Sequence, residues 1–266
     1  MCGNCFKGSD SMKCAVIVSK EDRAGMNISS FLEGRMSSNM FLHFIEGNQC
    51  FADEVDSVKA DFLVFASLHK SDSGKPTLTC HPVGNWGKAE YGGKERIICP
   101  TNSFLIKNYL LALNRKKEEL GLGYDVSLEA VHHGPLLSKP SVFLELGSSE
   151  KQWNDKEAAE ALASIILEST SLEGNYKSCI ALGGGHYCPE FTKLVLRTGW
   201  AVGPVCPSHA LPFLDEELLA KALEATNPEP RAIVLDWKGL KNEKEKVMGL
   251  VESLDLPVLR VRKLLA

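Results

Sequence analysis

The segment Leu182-Gly183-Gly184-Gly185-His186-Tyr187-Cys188-Pro189 passes from an apolar run through three glycines into an amphipathic stretch. The run before it, residues 178–182, is typical of a buried strand, and Pro189 fits the first turn of a helix because its missing N–H needs no partner there. Backbone amides at such a turn can hold an anion or a developing oxyanion. The glycines form neither a dinucleotide fingerprint nor a P-loop, because no Lys-Ser/Thr pair follows them. The segment predicts a strand–turn–helix unit with a ligand site; a tight turn that needs small residues is the structural alternative.

The rest of the chain alternates short apolar runs with amphipathic stretches. Strands are predicted over residues 14–19, 61–67, 96–99, 126–131, 142–146, 178–182, 232–236 and 257–261. Helices are predicted over residues 102–120, 155–170, 189–198, 215–225 and 241–254, with Gly121 as the stop signal of the first. This alternation predicts an α/β fold of a single domain, a mixed and mostly parallel sheet flanked by helices. Residues 12–266 would form the domain, and residues 1–11 a disordered extension or an alternative start.

The composition is that of an ordinary globular protein. Among 266 residues, 30 basic and 34 acidic side chains give a formal charge of −4, so an RNA partner would have to meet a local basic patch. The nine cysteines lie largely in apolar runs, which fits reduced, buried thiols. No apolar run is long enough to span a bilayer and no secretion signal is recognisable, so we expect a cytoplasmic protein without membrane or DNA partners.

Two further segments combine histidine with polar residues after apolar runs. His69 follows one such run, where the strand ends of an open α/β sheet bind ligands; a solvated loop histidine is the alternative. Residues 79–93 carry His81, Asn85, Trp86 and four glycines, which argues against a regular helix or a central strand. Aromatic rings in such a loop can stack on a base or an apolar group, and an ordinary glycine-rich turn is the alternative.

Adjacent histidines mark another segment, Glu129-Ala130-Val131-His132-His133-Gly134-Pro135. With a nearby carboxylate they suit either proton transfer or a metal site, and the spacing does not decide between them; a hydrogen-bonded core histidine is the structural alternative. A weaker segment, Asp236-Trp237-Lys238-Gly239, could contact substrate or cap the next helix. Five of the seven histidines fall in these segments, which predicts one cleft at the rim of a sheet and favours an enzyme.

The sequence offers few candidates for a protein nucleophile. The chain has no GxSxG elbow of a serine esterase. Cys188 beside His186 is a conceivable thiol nucleophile, but no cysteine-hydrolase signature surrounds it. Histidine-assisted attack by water and metal-assisted hydrolysis remain open.

These segments, in this order, resemble the archaeal and plant type of D-aminoacyl-tRNA deacylase, from about Met12 to near the C-terminus. The His-His-Gly-Pro run and the Gly-Gly-Gly-His-Tyr run are the specific combination, and residues 143–153 also look like the family. The resemblance implies a fold related to peptidyl-tRNA hydrolase and nucleoside phosphorylase. It also implies hydrolysis of the ester that joins a D-amino acid to the 3′ end of tRNA, including aldehyde-modified forms in some members, with Zn²⁺ attributed to the family.

From the resemblance we assign site residues as a hypothesis. The catalytic set is His132, His133, His186 and Glu129, in which His132, His133 and Glu129 would bind the metal or position the attacking water. Substrate would contact His69, His81, Asn85, Trp86, Gly183, Gly184, Gly185, Tyr187, Asp236 and Lys238. The partner is the 3′ end of D-aminoacyl-tRNA, bound by a monomer or a homodimer.

Two alternatives stay open beside this hypothesis. A related cleft could act on peptidyl-tRNA or on a nucleoside, and an RNA-end-binding module could have lost its activity. The segment over residues 47–59 is shorter than the family pattern, which predicts a missing or rebuilt element at the edge of the sheet.

Overall fold

The structure is a computed structural model that describes residues 12–168 and 172–266. The predicted extension over residues 1–11, and the last two residues of the helix predicted over 155–170, lie outside the described residues.

In the described part of the chain, the strands are β1 (Cys14–Ser19), β2 (Met40–Ile45), β3 (Phe62–Lys70), β4 (Thr77–His81), β5 (Gly84–Asn85), β6 (Ile97–Ile98), β7 (Thr101–Asn102), β8 (Asp125–Leu128), β9 (Ser141–Ser148), β10 (Lys177–Leu182), β11 (Trp200–Cys206), β12 (Thr226–Asn227), β13 (Ile233–Leu235) and β14 (Val258–Arg260). The α-helices are α1 (Arg23–Ser30), α2 (Ser103–Leu120), α3 (Glu150–Trp153), α4 (Lys156–Glu168), α5 (Pro189–Arg197), α6 (Glu216–Glu224), α7 (Lys244–Glu252) and α8 (Val261–Leu265). Short 3₁₀ helices span Gln49–Phe51, Asp53–Ser57, Leu211–Phe213 and Lys241–Glu243.

Two sheets dominate the fold. The larger has the strand order β2-β1-β3-β9-β4-β8, and only β4 and β9 pair in antiparallel fashion. The smaller, β11-β10-β13-β14, is parallel throughout. The N–H of Val131, just beyond β8, donates to the carbonyl of Val205 in β11 at 3.3 Å and so links the two sheets. The α/β class with helices around a mostly parallel sheet is confirmed, although hydrogen bonding divides the predicted single sheet into two.

Local sequence explains the principal elements. Every residue of β1 is buried, as expected of a strand covered on both faces. Helix α2 begins after Asn102, whose side chain accepts from the N–H of Leu105, and ends at Gly121 in the left-handed conformation (φ 64°). The predicted stop signal at Gly121 is therefore confirmed.

The structure corrects the interpretation of residues 79–93. The first three belong to β4, a buried strand between β9 and β8, so a central strand does occur here. The first glycine of this segment is Gly84, after the strand has ended. Thr79 and His81 can therefore pair with the neighbouring strands of the sheet. The strand predicted over 126–131 ends at Leu128, and β3 extends three residues past the predicted end at residue 67, to Lys70, so His69 lies within the strand instead of after it.

Residues 47–59, which we predicted to be shorter than the family pattern, lie between β2 and β3, and β2 forms one edge of the larger sheet. Strand β2 pairs in parallel with β1, and two 3₁₀ helices, Gln49–Phe51 and Asp53–Ser57, cover residues 49–57. The side chain of Asn48 caps the first of them by accepting from the N–H of Cys50 at 2.8 Å. This edge of the sheet is therefore present, with short 3₁₀ turns in the connection from β2 to β3.

Candidate active site

A cleft of about 640 Å³ opens where the end of β3 meets the loops that follow β8 and β10. Four of the predicted site residues line it: His69, His132, His133 and His186. The imidazole rings form one continuous group, with centroids 4.5 Å apart for His132 and His186 and 4.8 Å apart for His81 and His132. The structure thus brings together five histidines from four separate segments of the sequence.

Glu129 lies beneath this cleft and is fully buried. Its Oε1 is 3.2 Å from Nδ1 of His69, and its Oε2 is 3.0 Å from Nε2 of His186. Neither carboxylate oxygen has a conventional hydrogen bond within the described protein, so the two imidazoles supply its neutralising contacts. A buried carboxylate requires such partners, because removing an unpaired charge from water is very costly.

Glu145 is the second buried carboxylate, contributed by the middle of β9. Its Oε2 lies 3.1 Å from Nδ1 of His69 and accepts a hydrogen bond from the hydroxyl of Thr79 at 3.3 Å. Burial alone would raise the pKa of Glu145, but the contacts with His69 and His81 hold it well below its usual range. The carboxylate is therefore charged at neutral pH.

His69 carries the complementary positive charge. Burial alone would lower its pKa, but the hydrogen bond to Glu145 and the charges of Glu129 and Glu145 raise the pKa to about 10. The other ring nitrogen, Nε2, lies 2.8 Å from the hydroxyl of Tyr187. A doubly protonated His69 donates on both sides, which fixes the orientation of the Tyr187 hydroxyl at the rim of the cleft.

His81, His132 and His133 share a hydrogen-bonding pattern. In each, Nδ1 faces a backbone carbonyl: Pro82 at 2.9 Å, Ala130 at 2.6 Å and Gly134 at 2.6 Å, respectively. A carbonyl accepts only from an N–H, so Nδ1 carries a proton in each ring, and Nε2 is the atom that can bind a metal or accept a proton once it is deprotonated; Nε2 of His81 also lies 3.6 Å from Oε1 of Glu145. One ligand atom from each ring lies within 4.8 Å of the others.

The charges of these three rings differ. Burial and the neighbouring His81 lower the pKa of His133 to about 4, and burial with the surrounding histidines lowers the pKa of His132 well below its usual value. For His81, burial lowers the pKa, but the contact with Glu145 outweighs it and raises the pKa. His132 and His133 are therefore neutral and keep the lone pair that metal binding or proton transfer needs.

The geometry divides the predicted metal-ligand set. His132 and His133 group with His81, whereas Glu129 groups with His69 and His186, and also with His81 and Glu145. In every group the ligand atoms lie within 4.8 Å of one another. Three groups of the described residues could therefore hold a metal: one contains both His132 and His133, together with His81, and the other two contain Glu129.

The glycine turn after β10 is shaped by close backbone contacts. Gly183 and Gly184 have positive φ values of 99° and 88°, and a Cβ on Gly183 would lie 2.9 Å from the carbonyl oxygen of Asp236. In the described structure, the N–H groups of Gly185, His186 and Tyr187 have no protein acceptor. Consecutive free amides before a helix suit a developing negative charge.

Several predicted substrate contacts fall elsewhere. Trp86 is 2% exposed and its indole N–H donates to the carbonyl of Val205 at 2.9 Å, so it belongs to the core instead of the cleft surface. The buried Asn85 side chain donates to the carbonyl of Gly92 at 2.9 Å and stabilises its own loop. Neither Asp236 nor Lys238 is among the described residues that line the cleft; Asp236 lies against Gly183 and Gly184.

The thiol alternative loses support. The Cys188 side chain is 1% exposed, its Sγ–H faces the carbonyl of Gly185, and burial raises the pKa of the thiol. A buried thiol with a raised pKa is a poor nucleophile. The seven described cysteines are all free, as predicted for reduced thiols.

Glu145, Asp22 and Gln49 were not predicted as site residues. The signal for Glu145 was present, because a carboxylate inside the apolar run of residues 142–146 has to be paired. Asp22 and Gln49 line the cleft beside Ser67, whose hydroxyl donates to Asp22 at 2.8 Å. Nothing in their local sequence distinguished them from ordinary capping and loop residues.

Comparison with known proteins points to one family. A family model described as D-aminoacyl-tRNA deacylase matches residues 56–259. A D-aminoacyl-tRNA deacylase of Thermococcus kodakarensis is 37% identical over 229 residues, 85% of this chain and 83% of the relative. That of Methanococcus vannielii is 36% identical over 261 residues, 94% and 100% of the two chains.

A solved structure shares the fold. It is described as a conserved protein of unknown function, and it superimposes with a TM-score of 0.88 at 28% identity, covering 96% of this chain and 97% of its own. Within the described residues, no helix is long and apolar enough to cross a membrane.

Proposed function

This chain belongs to the D-aminoacyl-tRNA deacylase family, and from that premise we propose that its histidine-lined cleft hydrolyses the ester bond of D-aminoacyl-tRNA. The products are the free D-amino acid and tRNA. The observation that carries the assignment of the site is the buried Glu129 carboxylate, which contacts His69 and His186 at the rim of the cleft. A cytoplasmic location and a monomeric or dimeric state stay predictions.

His186 is the residue best placed to move the proton. Because its Nε2 faces the buried carboxylate of Glu129, Nε2 carries a hydrogen and Nδ1 keeps the lone pair. The ring is 37% exposed, so Nδ1 can meet a water in the cleft. A carboxylate that orients a histidine and stabilises its charged form is the arrangement of a general base.

The bond changes follow from this assignment. As a water oxygen attacks the ester carbonyl, its proton passes to Nδ1 of His186. The tetrahedral intermediate then collapses, the bond between the acyl carbon and the ribose oxygen breaks, and the ribose oxygen accepts the proton from Nδ1 of His186. Removal of such a base typically costs about 10²- to 10⁴-fold in rate.

The carbonyl oxygen gains negative charge during the attack. The free N–H groups of Gly185 to Tyr187 flank the His186 ring in the chain, and the charged His69 acts through the Tyr187 hydroxyl, one residue after His186. Fixed donors in a partly desolvated cleft stabilise an oxyanion more than water does. We assign this role to the glycine turn and to Tyr187.

Zinc fits the three-histidine group. The buried Nε2 of His81 lies 3.6 Å from Oε1 of Glu145 and makes no hydrogen bond, and this nitrogen would bind the ion after losing the proton that Glu145 favours. In all three rings Nδ1–H is held by a carbonyl, the outer contact that orients metal-binding histidines. His81, His132 and His133 would hold the ion, a common donor set for catalytic zinc. When bound, Zn²⁺ polarises a carbonyl or lowers the pKa of a water.

The test is deacylation of D-tyrosyl-tRNA and L-tyrosyl-tRNA by the purified chain, before and after chelator treatment. Release from the D-ester only supports the proposed function, and loss on chelation with recovery on zinc supports the metal assignment. Release that survives chelation would leave His186 and Glu129 as the catalytic pair without zinc. Absence of release by folded, zinc-loaded protein would refute the proposal.

A further inference from the structure

A second depression, of about 460 Å³, lies beside the cleft; it is lined in part by Tyr187, whose hydroxyl contacts the cleft residue His69. Its lining includes Lys75, Lys117, Lys193 and Asp125, and we call it the lysine pocket. Lys75 precedes β4, Lys117 lies in the last turn of α2, and Lys193 lies in α5. Three separate elements therefore place an ammonium group around one depression.

The lysine pocket and the cleft differ in charge. The cleft is lined by four acidic side chains, one lysine and the charged imidazole described above: Glu21, Asp22, Asp72, Glu145, Lys70 and His69. Three lysines and one aspartate line the lysine pocket. A chain with an overall charge of −4 thus carries a local basic site directly next to an acidic one.

Two of the three ammonium groups are free to bind a ligand. Lys193 pairs with Glu190 at 2.9 Å. Within the described residues, neither Lys75 nor Lys117 has a salt-bridge partner, and the carboxylate of Asp125 has none either. The unpaired lysines can therefore bind an anion without first breaking an ion pair.

Tyr187 connects the two sites. Its hydroxyl contacts His69 on the cleft side at 2.8 Å, and its carbonyl accepts from the hydroxyl of Ser127, a lysine-pocket residue, at 2.7 Å. Tyr187 thus contacts a cleft residue through its hydroxyl and a lysine-pocket residue through its carbonyl. An aminoacyl-tRNA has the matching polarity, because a cationic amino group lies on one side of the terminal ribose and phosphates lie on the other.

We propose that the lysine pocket binds the phosphate backbone of the unpaired 3′ end of the substrate, while the acidic cleft takes the amino acid. The inference rests on the proposed function and adds to it the direction in which the tRNA leaves the site. Lysine binds phosphate as a point charge, and each such contact adds to the salt dependence of binding.

The experiment compares two double variants on two substrates. Lys75→Gln/Lys117→Gln removes the free ammonium groups, and Lys13→Gln/Lys59→Gln is the matched control, since these exposed lysines lie before β1 and β3, at the far end of β3 from His69. The substrates are D-tyrosyl-tRNA and D-tyrosyl-adenosine, which has no phosphate. Measurements of kcat/KM are made over a range of salt concentrations.

For the Lys75/Lys117 variant we expect kcat/KM on D-tyrosyl-tRNA to fall at low salt. The slope of log kcat/KM against the logarithm of the salt concentration should become shallower by about 1.4, or about 0.7 for each lost phosphate contact with a single strand. The activity of the Lys75/Lys117 variant on D-tyrosyl-adenosine should equal that of the wild type. The Lys13/Lys59 control variant should behave like the wild type on both substrates. Asp125→Asn, which removes the opposing charge, should raise kcat/KM on D-tyrosyl-tRNA.

An unchanged salt slope in the Lys75/Lys117 variant would overturn the inference and leave the proposed function intact. An equal loss on D-tyrosyl-adenosine would also overturn it, because that substrate offers no phosphate. If the wild-type chain releases D-tyrosine from neither substrate, the proposed function itself fails. These outcomes separate the two claims.

Discussion

The buried carboxylate of Glu129 lies 3.0 Å from Nε2 of His186, a ring that reaches the open cleft. The two residues come from loops after different sheets, β8 in the larger and β10 in the smaller. Besides the Val131–Val205 hydrogen bond, a second one joins the two sheets here: the N–H of Ala130 donates to the carbonyl of His186 at 2.9 Å. The orientation of the proposed base therefore depends on the junction of the two sheets.

We expect Glu129→Gln to lower kcat for D-tyrosyl-tRNA by about 10²- to 10⁴-fold, with a much smaller effect on KM. The amide keeps the shape of the carboxylate but no longer stabilises a charged His186. Single-turnover deacylation measures the effect, and Glu252→Gln, an exposed residue at the end of α7, is the control. A Glu129→Gln variant with wild-type kcat would remove Glu129 from the mechanism.

The aromatic contact with the terminal base should come from Tyr91 instead of Trp86. Tyr91 lines the cleft and is 64% exposed, and its carbonyl accepts from the N–H of Gly134 at 2.9 Å, beside His133. Stacking of one base on an aromatic ring contributes about 1–3 kcal/mol, so Tyr91→Ala should raise KM about 5- to 150-fold while Tyr91→Phe leaves it unchanged. Steady-state deacylation is the measurement.

Trp86→Phe is the comparison for that prediction. The substitution removes the indole hydrogen bond to Val205 and should lower the free energy of unfolding by about 1–3 kcal/mol, with KM unaffected. A rise in KM for Trp86→Phe without a rise for Tyr91→Ala would restore the original interpretation.

Zinc binding provides a test that does not depend on activity. After metal has been removed with a chelator, the wild-type chain should bind one Zn²⁺, and the zinc-bound protein should unfold at a higher temperature than the metal-free protein. His132→Asn removes one of three ligands, and we expect its affinity for zinc to fall by more than about 100-fold, since even outer contacts are worth 10- to 100-fold. Calorimetric titration measures this, with His43→Asn on β2 as control. Equal affinities for wild type and His132→Asn would contradict the three-histidine site.

Sequence reasoning predicted the elements whose ends carry their own signals. The helix after Asn102 has a capping side chain and a terminal glycine, and helix α5 begins with Pro189, so both were found nearly residue by residue. Strand β11 was missed because Gly203 and Pro204 argue against a strand. The structure accommodates both residues, since β11 is the edge of its sheet and Gly203 packs on Thr226, where a Cβ would lie 2.8 Å from Cγ2.

The site was harder to predict, because its pairs depend on sheet topology. The insertion of β4 between β9 and β8 aligns Thr79 with Glu145 in the antiparallel register, which places His81 near the same carboxylate. No local pattern reveals that pairing. The histidines were found because they cluster in glycine-rich segments, whereas the position of Glu145 and the grouping of His81 with His132 and His133 depend on the register.

Lys107 stabilises the fold away from the site. It is 2% exposed, and its ammonium group donates to the carbonyls of Val195, Thr198 and Trp200, at the end of α5. We expect Lys107→Met to lower the free energy of unfolding by at least about 2–4 kcal/mol, because it leaves these carbonyls without their donor. Urea unfolding measures the loss, with the exposed Lys156→Met on α4 as control. A loss no larger than that of the control would show that other donors replace Lys107.

The raised pKa of His69 makes stability depend on pH in the alkaline range. The folded pKa is about 10 and the ordinary value is 6.5, so between these limits the folded chain holds a proton that the unfolded chain has lost. The stabilisation from this group is therefore complete below pH 6.5 and is lost as the pH rises towards 10, with a slope of at most ~1.4 kcal/mol per pH unit.

Glu145→Gln should reduce that slope, because burial lowers the pKa of His69 once the hydrogen bond to the carboxylate no longer opposes it. The measurement is the free energy of unfolding in urea at pH 7, 8 and 9, with chelator present so that metal binding does not contribute. Glu252→Gln should keep the wild-type slope. The direct check is the His69 ring resonance, which should titrate near pH 10 in the wild type and at a lower pH in Glu145→Gln. A wild-type resonance that titrates near 6.5 would show that Glu129 and Glu145 do not hold a proton on His69, and it would remove the charged donor behind Tyr187 from the mechanism.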